Sequence, residues 1–139
     1  LLVGNVVAAQ GDSPQSQAEQ MRQLLFEAQS ALISGDAAQA AKFVQQADDL
    51  YQTSLAASLR DTSPTTAAAI ETALQAAAAA ASQGDGLALS AARAQVWGGL
   101  LGGAMDVTLN AIQSGDKSAA QSWLLLREEE RASRGGLSR

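Results

Sequence analysis

From about residue 14 onward, apolar side chains return every three or four positions along the chain. Ala18, Met21, Leu25, Ala28 and Leu32 trace one face and predict a helix over about 14–34. Phe43, Ala47, Leu50, Ser54 and Ala57, with Val44, Tyr51 and Leu55 alongside, predict a second over about 36–60. Ile70, Leu74, Ala77 and Ala81 stripe a third over about 64–83, and two more follow over about 85–114 and 116–132.

The breaks between these stripes share one phrase. Gly35-Asp36, Gly84-Asp85 and Gly115-Asp116 each set a glycine, able to end a helix in the left-handed conformation, before an aspartate able to cap the next. Links this short fold two helices into a hairpin. The remaining boundary is Ser63-Pro64, read as an N-cap followed by proline at the first helical position. The expected fold is all-α: an up-and-down antiparallel bundle of about five helices joined by short Gly-Asp hairpin links. The Gly-Asp marks stand 49 and then 31 residues apart, which disfavours a solenoid of strict period.

Composition sharpens this picture. The chain has 139 residues, enough for one domain with a core, and 47% are hydrophobic, but much of that is alanine and only 4% are aromatic. Alanine buries little area, so such a core needs close helix–helix approach. The phrase "WGGLLGGAMD" bears on that point. Gly98 and Gly102 share a face, as do Gly99 and Gly103, and each glycine inside a helix costs about 1 kcal/mol against alanine. A helix-contact face at these four glycines would compensate, and so would a kink or a ligand-facing notch.

Charge and chemistry exclude more than they propose. The net charge of −5 argues against a nucleic-acid partner, which needs a basic patch. The sequence holds no Cys and no His, which removes thiol nucleophiles, zinc–thiolate sites and the commonest general base and metal ligand. An enzyme is not expected, and no cofactor is certain. A metal would have to be iron or another hard cation held by carboxylates. The longest apolar stretch without charge, between Arg93 and Asp106, has 12 residues, too few to span a membrane. The opening "LLVGNVVAAQGD" reads as the end of a signal peptide over 1–9, cut before Gln10. Residues 10–134 then form the single helical-bundle domain, with 135–139 as a disordered tail.

The densest chemistry lies in "AAQSWLLLREEERASR". Glu128, Glu129 and Glu130 spread around a helix and cannot converge on one ion, so they read as a solvated last turn. Arg93 and Arg127 sit in apolar sequence beside Trp97 and Trp123, where a buried guanidinium calls for a carboxylate. Asp106 and Glu128 are the candidate partners and, in the sharper reading, the candidate metal ligands. On one side of the last helix Ala120, Trp123, Leu124 and Arg127 align, which predicts that Trp123 is buried. Glu27, Asp48, Asp49 and Glu71 read as surface charges.

The segment from Ala91 to Glu129 resembles the extracytoplasmic helical region of bacterial high-affinity iron permeases. The likeness runs through Ala92-Arg93, Trp97, Leu100-Leu101, Gly103-Ala104, Gly115-Asp116 and "WLLLRE" from Trp123 to Glu128, and covers about residues 64–130. It departs at Glu129 and in "RASRGGLSR". The Arg-Glu-x-x-Glu iron motif of such permeases is not completed, because Arg131 stands where the second Glu belongs. The resemblance implies iron uptake at the cell envelope: an exported, periplasmic accessory or binding module with a membrane-protein or envelope partner, not itself a channel. The alternative is a structural or protein-interaction bundle docked on a membrane complex.

Overall fold

The computed structural model describes residues 13–137. The signal-peptide expectation for 1–9 lies outside the described residues. Six helices follow one another: α1 (Pro14–Ile33), α2 (Ala37–Ser54), α3 (Ala56–Thr62), α4 (Pro64–Gln83), α5 (Gly86–Gln113) and α6 (Lys117–Leu137). No strand occurs among the described residues.

Three links turn the chain with the same hydrogen bonds. Gly35, Gly84 and Gly115 hold φ of 83°, 70° and 80°, the left-handed region that glycine enters without a Cβ clash. At the first link the Gly35 amide donates to the Leu32 carbonyl at 3.0 Å and the Asp36 amide to the Ala31 carbonyl at 2.8 Å, which satisfies two carbonyls at the end of α1. The Asp36 carboxylate then accepts from the Gln39 amide at 3.0 Å and starts α2. Asp85 and Asp116 accept from the amides of Ala88 and Ala119, each at 3.0 Å, in the same way. Ser63 behaves differently. It precedes Pro64, but its hydroxyl donates to the Thr66 hydroxyl at 2.8 Å and makes no cap bond to an amide.

The second predicted helix is broken in two at Leu55, whose φ of −114° departs from helical values. Two residues earlier the Thr53 hydroxyl donates to the carbonyls of Asp49 at 2.9 Å and Leu50 at 3.3 Å. Such back-bonding competes with the helix's own amides and bends it. The inward face is Val44, Ala47, Tyr51, Leu55, Ala56 and Leu59, all buried. Of the predicted stripe Ala47 is on it, Phe43 and Leu50 are half-buried, and Ser54 and Ala57 are exposed. Arg60 spans the break. It donates to Gln52 at 2.6 Å and to Glu71 at 2.6 and 2.9 Å, so Glu71 is a tie between α3 and α4 and not a plain surface charge. Tyr51 is buried at the centre, its hydroxyl 3.5 Å from the Ala67 carbonyl. Burial, with Glu71 next in weight, pushes its pKa up to about 12.

The helices close into a ring. α1 packs on α2, α2 on α4, α4 on α5 and α5 on α6, while α1 also meets both α5 and α6. The predicted faces of α1 and α4 point inward: Ala18, Met21, Leu25 and Ala28 are buried, as are Ile70, Leu74, Ala77 and Ala81. On α6 the inward side is Ala120, Trp123 and Leu126; Leu124 is 41% exposed and faces outward, which corrects its predicted place. The backbone of α6 also runs on to Leu137, so 135–137 continue the helix and are not tail. The run "REEERAS" is free of proline and rich in helix formers, which carries the helix past the expected stop.

The four glycines of α5 divide into two pairs. A Cβ on Gly99 would stand 2.5 Å from Cγ1 of Ile70, and one on Gly103 would strike Cδ2 of Leu59. These two let α5 lie close on α3 and α4. A Cβ on Gly98 or Gly102 would meet nothing within 4 Å. Gly98→Ala and Gly102→Ala are therefore each expected to stabilise the fold by about 1 kcal/mol, raising Tm by roughly 3 °C. Thermal melts of the two variants check this; a lowered Tm in either would mean that the face is packed.

Candidate functional site

α1 and α5 run antiparallel, and each carries an arginine followed four residues later by an aromatic ring: Arg22 and Phe26 on α1, Arg93 and Trp97 on α5. Four residues is one helical turn, so each pair lies on one face. The opposed directions then cross the pairs. The Arg22 guanidinium lies 5.5 Å from the Trp97 ring centre, and that of Arg93 lies 5.8 Å from the Phe26 ring centre. Both are cation–π distances, worth about 0.5–1 kcal/mol each at partly exposed positions.

Gln29, one further turn along α1, ties the motif together. Its side-chain oxygen accepts from Arg93 at 3.2 Å and its amide nitrogen donates to the Gly86 carbonyl at 3.0 Å. A polar latch thus joins the end of α1 to the start of α5. Between the helices lies a cleft of about 250 Å³ lined by Arg22, Leu25, Ser90, Arg93, Ala94 and Trp97. A second hollow of about 340 Å³ adjoins it and adds Glu19, Gln23 and Phe26 to the walls. Glu19 stands 3.7 Å from Arg22.

Arg93 is half-buried, and its charge is met by an amide oxygen and a ring face. The expected carboxylate partner is absent: among the described residues neither Arg93 nor Arg127 pairs with Asp106 or Glu128. Arg93 and Asp106 are 13 residues apart on one helix, about 20 Å along its axis. Burial lowers the pKa of Arg93, and the nearby charge of Arg22 lowers it further. A guanidinium nevertheless stays charged at any physiological pH. The indole N–H of Trp97 is buried and has no hydrogen-bond partner among the described residues.

The remaining predicted residues lie elsewhere. Asp106 is half-buried in α5, and Glu128 is exposed on α6, where Arg127 is half-buried. No group of three or more carboxylate, His or Cys side chains able to hold a metal occurs among the described residues. Trp123, 5% exposed, joins Ala104, Val107 and Leu126 in the core as α6 packs on α5. Arg22, Phe26 and Gln29 did not stand out in the sequence. The signal that could have found them is the repeated Arg-x-x-x-aromatic spacing on two helices.

Residues 10–136 match the family model described as the iron permease FTR1 N-terminal domain. No curated protein and no solved structure matches the chain. The match takes in α1, α5 and the whole cleft between them.

Trp123 is an anchor in a core half of whose buried hydrophobic residues are alanine. Trp123→Ala is expected to cost about 3–5 kcal/mol, whereas Glu128→Ala, on an exposed turn, changes stability by less than about 0.5 kcal/mol. Urea unfolding of the two variants checks the contrast.

Proposed function

The chain belongs to the iron permease FTR1 N-terminal domain family, and on that premise we propose that it works as an extracytoplasmic accessory module of an iron-uptake system. The observation that carries this reading is the family match, which runs from Gln10 to Gly136 and so covers nearly the whole chain. No helix among the described residues is long and apolar enough to cross a membrane. The module's part is to bind and to make contact, not to catalyse. Its place is the periplasmic side of the envelope, beside a membrane protein that carries the iron across. If iron touches the module directly, Asp106 and Glu128 are the carboxylates to supply a weak site.

The outward pair on α5 favours a second reading, that of a bundle docked on a membrane complex. Gly98 and Gly102 are open, one turn apart, and would let a partner helix approach the backbone closely. On this reading, α5 uses one glycine pair for its own fold and offers the other outside.

In cells that depend on this system, removing residues 10–136 from the encoded protein is expected to lower accumulation of radioactive iron several-fold under iron limitation. Unchanged accumulation would contradict a role in uptake. A titration of the purified chain with Fe(III) separates the two readings. Saturable binding weakened by Asp106→Ala and by Glu128→Ala supports a metal site, and no saturable binding leaves contact as the role.

A further inference from the structure

We propose that the cleft between α1 and α5 binds a small carboxylate anion, of the hydroxycarboxylate class that chelates ferric iron, with Arg93 as its main charged donor. The choice of a ferric chelator rests on the iron-uptake reading; the anion site rests on geometry. A guanidinium offers five N–H donors, and Arg93 gives one to Gln29. Its other donors are left beside the cleft, in a partly buried setting where an anion is held more strongly than in water.

The surroundings fit a small, flat anion. Gln29 and the Phe26 ring fix the Arg93 plane, so little side-chain freedom is lost on binding. Ser90 adds a hydroxyl to the wall, and Trp97 lines it as well. A volume of about 250 Å³ suits a molecule of a few carboxylates and no more. Glu19 beside Arg22 repels anions from that end, which directs the ligand to the Arg93 end. The chain's net charge of −5 weakens the long-range attraction, so binding is modest and falls with salt. The planar fork of a guanidinium accepts phosphate as well as carboxylate. Here, however, the cleft is walled by Leu25, Ala94 and the Trp97 ring, apolar surfaces that suit the carbon skeleton of an organic acid and give phosphate nothing.

The chain has two tryptophans, so an amide-region nitrogen–proton NMR spectrum shows two indole signals, assigned with Trp97→Phe. Citrate is the first probe, at constant ionic strength. Gallium(III) citrate stands in for the paramagnetic ferric chelate, and inorganic phosphate is the comparison. The expected result is a saturable shift of the Trp97 indole with citrate and gallium citrate, while Trp123 stays in place. Arg93→Gln should weaken binding at least tenfold. Arg93→Lys, which keeps the charge but not the fork, should weaken it less and melt near the native temperature. The proposal is overturned if no shift saturates, if Trp123 responds equally, or if Arg93→Gln binds as well as the native chain. It is also overturned if phosphate binds as tightly as citrate, or if gallium citrate does not bind. These failures leave the iron-accumulation result untouched, and a failed accumulation assay leaves the Trp97 response untouched.

Discussion

The close seating of α5 on α3 and α4 is the constraint on which the rest of the molecule depends. α4 presents Ala67, Ala73, Ala77, Ala80 and Ala81 to the core, and Ile70 and Leu74 are its only larger buried aliphatic residues. Side chains so small gain little from burial unless backbones come together. Gly99 and Gly103 allow that approach by leaving room for Ile70 and Leu59. Two glycines cost a long helix about 2 kcal/mol in propensity. The packing they permit offsets it. The fully buried Val96 and Leu100 on the same face are carried into contact by the same approach.

The cleft follows from the opposite condition on the other side of α5. There α1 meets it through arginine, glutamine and aromatic side chains, which are long and hold the helices apart. Crossed Arg–aromatic pairs and the Gln29 latch fix the spacing without filling it. One helix therefore packs tightly on its alanine neighbour and loosely on its polar one. The bundle thus has one closely packed side and one side with a cleft of about 250 Å³. The match to the iron permease N-terminal domain family covers both helices that wall this room.

Much of the fold is legible in the residues themselves. The stripes of α1 and α4 read correctly because Met21, Leu25, Ile70 and Leu74 are the large apolar residues on otherwise small or polar faces. In the helix of 36–60, Phe43, Leu50, Val44, Tyr51 and Leu55 lie within about 140° of its surface, and burial centres on Val44, Tyr51 and Leu55 while Phe43 and Leu50 sit at the edge, half-buried. On α6, Leu124, Leu125 and Leu126 are chemically alike, and only packing on α5 decides that Leu126 goes in. The carboxylate partner expected for Arg93 failed because a half-buried guanidinium can be met by an amide and a ring. The cleft was the least legible feature, since it depends on how two helices 60 residues apart in sequence are crossed.

Glycine at position 99 admits Ile70. A double-mutant cycle tests it by urea unfolding. In the native background Gly99→Ala forces overpacking, costing about 1–3 kcal/mol, against a helix gain of about 1 kcal/mol. In the Ile70→Ala background the obstructing atoms are gone, and the same substitution should stabilise by about 1 kcal/mol. The effect of Gly99→Ala is expected to change between the two backgrounds by at least about 1 kcal/mol, in favour of the double variant. Equal effects in both, within about 0.5 kcal/mol, would show that the two sites are independent and would contradict it.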